Sequence, residues 1–470
     1  MKRATSNSEI LLAISRQAGR PLRSQLEHEL RCAIRSGRLP VGCLLPATRV
    51  LASDLRVSRG VVIEAYEQLL AEGYLTARHG SGTRVAARLA EFEIPLARAE
   101  AKSTIRHDFR PGIPDLAQFP RRAWLSAMRR ALDAASDAML DYPDARGIES
   151  ARCALAAYLN RARATMAQPE NVIICNGSAQ AIYLLCRILS RRKIRRIAVE
   201  NPGYAEQCTD IRASGMETCP VTVDEDGICV ERLASMDVGA VLVTPAHQYP
   251  TGAVLSPQRR TALLRWARRS GALIVEDDYD AEYRYDREPL GALQGLAPDV
   301  VCYVGTASKT LSPALRLGWL LLPPKVSREV AQAKLQMDRG SPILDQLALA
   351  DFISRGELDR HLRRTRLVYK RRRDRLVKAL RKHLPNARQH GVAAGLHLFL
   401  ELPGGALESE IVKAAARHSI RLFGASAYRI GASSRPPALV VGYGAVLEDE
   451  LERGVQQLAR VINCCDETMT

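Results

Sequence analysis

The sequence contains no apolar run approaching the roughly 20 residues that a helix needs to cross a bilayer. Its opening segment, Met1 to Ile10, is too polar for a signal peptide. Both absences point to a soluble protein that stays in the cytoplasm. Eleven cysteines are present, but none are spaced as C-x-x-C and only Cys464 and Cys465 are adjacent, so neither a zinc site nor a disulfide framework is expected and no metal is assigned. Reduced thiols in a reducing compartment follow. No internal repeat and no low-complexity tract is found. What remains is a chain of 470 residues, 47% hydrophobic and 25% charged. That composition fits a globular protein, and that length is too great for a single core.

The formal charge is +17. Clustered Lys and Arg favour a polyanionic partner because they release condensed counterions from nucleic acid; a solvated, Arg-rich surface would give the same total. Position is informative: residues 1–90 hold fourteen Lys/Arg against seven Asp/Glu, and so carry +7 of the +17.

From Pro21 to Ala86 the pattern is three short amphipathic helices and a hairpin. Leu22, Leu26, Leu30 and Ile34 recur at helical spacing, and Ser36-Gly37-Arg38-Leu39-Pro40 stops that helix. A second helix is expected from about Ala47 to Leu55 with Val50, Leu51 and Leu55 inward. A third starts after Ser58, a good N-cap, with Val61, Val62, Ala65, Leu69 and Leu70 on one face. Two strands, Tyr74 to Ala77 and Thr83 to Val85, flank the turn Arg78-His79-Gly80-Ser81-Gly82. Three helices and a wing allow the third helix to lie in a major groove, where Arg49 and Arg59 reach phosphates or guanine edges while Arg78 and His79 enter the neighbouring minor groove.

Residues 87–107 lack a period and suit a linker between a head (1–86) and a large domain (108–470). In the large domain short apolar runs, Val172 to Cys175, Ile197 to Glu200, Ala240 to Thr244, Ala272 to Glu276 and Val300 to Val304, alternate with helical stretches. This alternation predicts an α/β fold with a largely parallel, doubly wound sheet and ligands at the carboxyl ends of its strands. After Pro324 helices dominate, and a smaller α+β unit closes the chain around His397 to Leu402 and Leu439 to Tyr443.

Four segments of that domain carry residue types suited to pyridoxal 5'-phosphate. After the strand ending at Val304 comes Gly305-Thr306-Ala307-Ser308-Lys309, in which a lysine of lowered pKa can form an imine with an aldehyde. Thr306, Ser308 and, seven residues past the lysine, Arg316 offer hydroxyls and a guanidinium fork to phosphate. A buried-strand pattern delivers Asp277, whose carboxylate can keep a pyridine nitrogen protonated, and Tyr279 can hydrogen-bond the ring hydroxyl. In Asn176-Gly177-Ser178-Ala179-Gln180 a helix start presents backbone N–H groups to phosphate. Glu200-Asn201-Pro202-Gly203-Tyr204 places an aromatic ring where it can stack on pyridine. Each segment alone also reads as ordinary capping, packing or surface charge.

The stretch from Leu45 to Thr83 closely resembles the winged-helix head of the GntR family. The chain from about Phe109 onward resembles fold-type I aminotransferases. The combination resembles the MocR subfamily of GntR-type transcription regulators, through Asp108-Phe109-Arg110-Pro111-Gly112-Ile113-Pro114-Asp115, Asn201-Pro202-Gly203-Tyr204, Thr244-Pro245-Ala246-His247-Gln248-Tyr249-Pro250-Thr251-Gly252 and Glu276-Asp277-Asp278-Tyr279-Asp280. The resemblance implies a winged helix-turn-helix joined to an aminotransferase-like domain. It implies DNA contacts from Arg49, Arg59, His79 and Gly80, beside the helix cap Ser58 and the wing residue Arg78. It further implies an internal aldimine at Lys309, Asp277 on the ring nitrogen, Tyr279 on the ring oxygen, Tyr204 stacked above, and phosphate on Ser178, Ala179, Thr306, Ser308 and Arg316. His247 or Gln248 is expected to face the ring, with one extra residue before Pro250 shifting the register. Gly60 and Val61 stand where many relatives carry Thr or Ser, so base reading leans on the wing, on DNA shape and on half-site spacing in a homodimer.

Two functions follow from such a chain. One is a regulator that binds a double-stranded operator and senses an amino compound or the cofactor itself; the other is an active aminotransferase. Many fold-type I enzymes bind the substrate carboxylate with an Arg near the C-terminus, and the matching position here is Val440; Arg421, Arg429 or Arg435 would have to substitute.

Overall fold

Leu26, Leu30 and Ala33 lie on one stripe of the helix Leu22–Arg35, and this stripe is fully buried against Val62, Ala65 and Leu69 of the helix Arg59–Ala71. The computed structural model describes residues 14–15, 19–78, 81–86, 105–286, 290–403, 407–431 and 436–467, in two units that divide between Lys102 and Ser103.

In the first unit a short helix, Thr48–Asp54, joins the other two, and the strands Leu75–Arg78 and Gly82–Val85 pair antiparallel. Ser58 caps the third helix, its Oγ accepting the Val61 N–H at 3.4 Å. Val50, expected inward, is exposed: a seven-residue helix turns one narrow stripe to the core, and Leu51 and Ala52 occupy it. His79 and Gly80 lie outside the described residues.

The second unit is built on an eight-stranded sheet. Its middle is parallel, as the strand–helix alternation predicts: Val301–Thr306, Leu273–Asp278, Ala240–Val243, Arg196–Asn201 and Glu217–Asp224 lie side by side in that order. Beyond Val301–Thr306 the strand Gly318–Leu321 runs antiparallel, between that strand and Val172–Cys175. The sheet is therefore mixed, and Gly318–Leu321 escapes a sequence reading because its four apolar residues follow a loop with no α-helix between, only the short 3-10 turn Pro313–Leu315. Apolar clusters cover both faces, one built around the helix Ser178–Arg191 and the other around the helix Pro257–Ser270. A second, four-stranded sheet pairs His397–Glu401 with Ala438–Gly442, and its core packs on the 27-residue helix Glu357–His383.

Candidate functional site

The antiparallel strand decides where the site forms. Thr306 pairs with Gly318 and Gly318 with Cys175, so the ends of two sequence-distant strands meet at one sheet edge. Arg316, two residues before Gly318, is thereby brought to the start of the helix Ser178–Arg191, where its Nη2 donates to the Asn176 carbonyl at 3.0 Å. Arg316 and the cap residue Gly177 both have positive φ, +52° and +86°. The missing side chain of Gly177 leaves the space that the guanidinium fills, since a Cβ there would stand 2.7 Å from Nη2.

A cavity of about 340 Å³ opens at this edge. Ser178, Ala179, Tyr204, Asp277, Tyr279, Thr306, Ser308, Lys309 and Arg316 all line it. The Lys309 Nζ donates to the Gly112 carbonyl at 2.6 Å, and burial lowers its pKa, with Asp280 and Asp277 opposing the shift. The Thr306 hydroxyl donates to Ser308 Oγ at 2.9 Å, which fixes both oxygens beside the lysine.

Three aspartates stand close together in this sequence, and the structure gives each a separate task. Asp278 points away from the cavity into a buried pair with Arg163, 2.6 Å from its Nε, and accepts the Tyr303 hydroxyl at 2.6 Å. Asp280 lies 3.0 Å from Nδ1 of His247. Asp277 accepts the Gln207 amide on Oδ2, while its buried Oδ1 has no partner. Burial pushes the Asp277 carboxyl up to about 6 against the Gln207 hydrogen bond.

His247, expected to face the ring, does not line the cavity: it is buried behind Tyr279, whose hydroxyl is 3.0 Å from Nδ1. Gln248 is likewise turned inward, holding Glu200 and the Pro202 carbonyl through its amide. Tyr249 instead stands on the cavity wall, edge-on to Tyr204 and Tyr279. Sequence reasoning also missed Gly112, Gln207, Glu206 and Asp210, all of them lining residues. Gln207 carries a usable signal, three residues past Tyr204 on one turn of helix; Gly112 lies in the motif Asp108 to Asp115, but nothing in that motif assigns it to the site, because it reaches the cavity from a distant loop. His397 was missed as well. Its ring is tilted against that of His247 with centroids 5.1 Å apart, and complete burial holds its pKa well below the usual range.

The residues present fit pyridoxal phosphate. The unpartnered Oδ1 of Asp277 is a buried acceptor awaiting a donor, and a protonated pyridine nitrogen supplies one. Ser178 and Ala179 open a helix whose first N–H groups have no partner within it, and Arg316, Thr306 and Ser308 share the same cavity. Val440, expected to match the position where many fold-type I enzymes carry a carboxylate-binding Arg, lies fully buried in a cluster with Phe399 and Tyr428. Arg421 is held by Asp108 at 3.3 Å, and Arg429 donates to the Pro436 carbonyl at 3.2 Å; Arg435 lies outside the described residues.

In the first unit Arg49, Ser58, Arg59 and Arg78 are all exposed. Arg23 and Arg31 are tied to Glu64 and Glu72, Arg35 to the Tyr74 hydroxyl and Arg84 to the Gly42 carbonyl, whereas Arg49, Arg59 and Arg78 have no acidic partner among the described residues. These three charges are the ones at the second helix, the third helix and the wing.

Residues 22–85 match the bacterial regulatory proteins of the gntR family, and residues 112–450 match aminotransferase class I and II. The chain is 33% identical to the probable rhizopine catabolism regulatory protein MocR of Rhizobium meliloti, over 95% of each chain. It is 32% identical to the HTH-type pyridoxine biosynthesis transcriptional regulator PdxR of Corynebacterium glutamicum, over 97% of this chain and 99% of that protein. Among solved structures it resembles the multiple substrate aminotransferase of Thermococcus profundus, with a TM-score of 0.71, 25% identity, and coverage of 78% of this chain and 93% of that one. The kynurenine aminotransferase of Pyrococcus horikoshii, at 24% identity and the same TM-score of 0.71, shares the fold.

Proposed function

Because this chain belongs to the MocR subfamily, GntR-type transcription regulators that carry an aminotransferase class I and II domain, we propose that it binds pyridoxal 5'-phosphate through Lys309 and couples occupancy of that site to operator binding. One observation carries the cofactor reading: the unpartnered Asp277 Oδ1 and the Lys309 amine line one cavity with the helix start at Ser178. Bound there, the cofactor would supply a carbonyl-derived carbon that an incoming amine can take over from Lys309, the lysine leaving as a free amine that carries the incoming amine's proton. The protein holds its phosphate with Ser178, Ala179, Thr306, Ser308 and Arg316, keeps its ring nitrogen protonated with Asp277, hydrogen-bonds its ring oxygen with Tyr279 and covers its face with Tyr204.

The ligand sensed is an amino compound or the cofactor itself, and its differential affinity for two arrangements of the large domain repositions the heads on DNA. Arg49, Arg59 and Arg78 contact the duplex beside the Ser58 cap, with His79 and Gly80 at the wing tip. A cytoplasmic homodimer is the working form, since one winged helix has too small a footprint for tight, specific binding. The buried Val440 favours sensing over turnover.

Borohydride reduction of the cofactor-loaded protein, followed by peptide mass spectrometry, tests the assignment. A pyridoxyl label on the Lys309 peptide is expected; a label on another lysine, or none, overturns it. Steady release of a keto acid or aldehyde from added amines would replace the sensor with an aminotransferase.

A further inference from the structure

Behind Tyr279 lies a buried polar group, His247, Asp280 and His397, none of which lines the cavity. Nδ1 of His247 is 3.0 Å from the Tyr279 hydroxyl and 3.0 Å from Oδ2 of Asp280. Among the described residues no other group donates to the Asp280 carboxylate. Gly395, at φ +79°, makes room for the pair: a Cβ there would stand 2.1 Å from Cε1 of His247 and 2.7 Å from Oδ2 of Asp280.

The partners decide which nitrogen of His247 carries the proton. A proton on Nδ1 satisfies Asp280. A proton on Nε2 alone would leave a buried carboxylate without a donor, the costlier fault, since an unpaired buried charge outweighs an unpaired neutral lone pair. Nε2 has no partner and lies beside Gly252 and Gly391. His397 donates from its Nε2 to the Pro250 carbonyl at 3.1 Å, and burial holds its ring neutral, so it packs on His247 without adding charge. With Nδ1 already protonated, His247 can only donate to the Tyr279 oxygen, and the phenol proton is left free for the cavity.

Resting on the cofactor reading above, we propose that Asp280 and His247 are positioning residues for Tyr279: they fix its hydroxyl as a donor to the cofactor's ring oxygen and so favour the anionic form of that oxygen. Asp277 and Glu200 also face Tyr279, Lys309 acts on His397 as a cation, and Tyr249 packs on both Tyr279 and His397. Tyr283, Tyr285 and Tyr443 lie around Asp280, each kept neutral by burial. Among the described residues none of these hydrogen-bonds His247, so the tautomer is set by Asp280.

The test is a pH titration of the cofactor absorbance in full-length protein loaded with pyridoxal phosphate. Losing the donor to the ring oxygen raises the midpoint, because the proton shared with that oxygen is then held more tightly. Tyr279→Phe and His247→Phe are each expected to raise it by about one pH unit, and the double variant should go no further than Tyr279→Phe. Asp280→Asn lets an amide donate to Nδ1 and reverses the tautomer, so it should raise the midpoint too; being isosteric, it decides the matter if His247→Phe does not fold. His247→Asn keeps an N–H near the place of Nδ1 and should stay closer to wild type. A midpoint unchanged or lowered in Tyr279→Phe, His247→Phe or Asp280→Asn overturns the inference, as do additive shifts in the double variant or a His247→Asn midpoint no lower than that of His247→Phe. A protein that takes up no cofactor at all overturns the reading beneath it as well.

Discussion

The guanidinium of Arg316 lies over the bare α-carbon of Gly177, at a residue held in the left-handed region. Replacing Gly177 with Ala therefore strains the backbone and displaces the fork at once. A lost charge-assisted hydrogen bond of about 1.5–3 kcal/mol corresponds to roughly 10–100-fold weaker cofactor retention. Fluorescence titration of Gly177→Ala and Arg316→Ala with pyridoxal phosphate should show similar losses; normal affinity in Gly177→Ala would mean that Arg316 does not serve the phosphate.

Asp277 ionises at a cost in the cofactor-free protein, because its folded pKa is raised from 3.8 to about 6. The sign is fixed by linkage: the stability this group supports is present below its unfolded pKa and is lost as pH rises through about 6. Asp277→Asn should gain in melting temperature relative to the unloaded wild type between pH 5 and pH 8. In the loaded protein the order should invert, since only the carboxylate partners a protonated ring. A difference that does not change with pH would show that Asp277 is not buried as described.

Asp278→Asn tests the neighbour. Its partner Arg163 is fully buried, and removing one member of a buried pair typically costs about 3–5 kcal/mol. Chemical denaturation of the large unit should register that loss. Asp277→Asn, measured beside it, should register far less.

Arg59→Ala and Arg49→Ala should each weaken operator binding and lower the dependence of log K on log salt by about one, the signature of a lost phosphate contact. Cofactor absorbance should be unchanged. Undiminished affinity in Arg59→Ala would remove the third helix from the groove.

Much of this molecule was legible from local pattern. The recurrence of Leu26 and Leu30, the cap at Ser58 and the run Ala240 to Val243 each specify an element through chain geometry alone, since a helix and a strand bury different periodicities. Three acids within four residues were not separable in the same way. Asp277 and Asp278 alternate across a strand, and which of them meets Arg163 depends on a helix over a hundred residues away.

The sequence by itself determined the two domains, the strand-and-helix alternation and the family, because these rest on local periodicity and on motifs short enough to read directly. Only the tertiary structure decided that Gly318–Leu321 returns antiparallel and carries Arg316 to Gly177, that Tyr249 rather than His247 reaches the cavity wall, and that Asp277, of the three neighbouring aspartates, is the one that keeps an unpaired oxygen. The physical reason is common to all three. Each depends on which side chains win the limited space and hydrogen-bonding partners at one sheet edge, and that competition joins residues the chain keeps far apart.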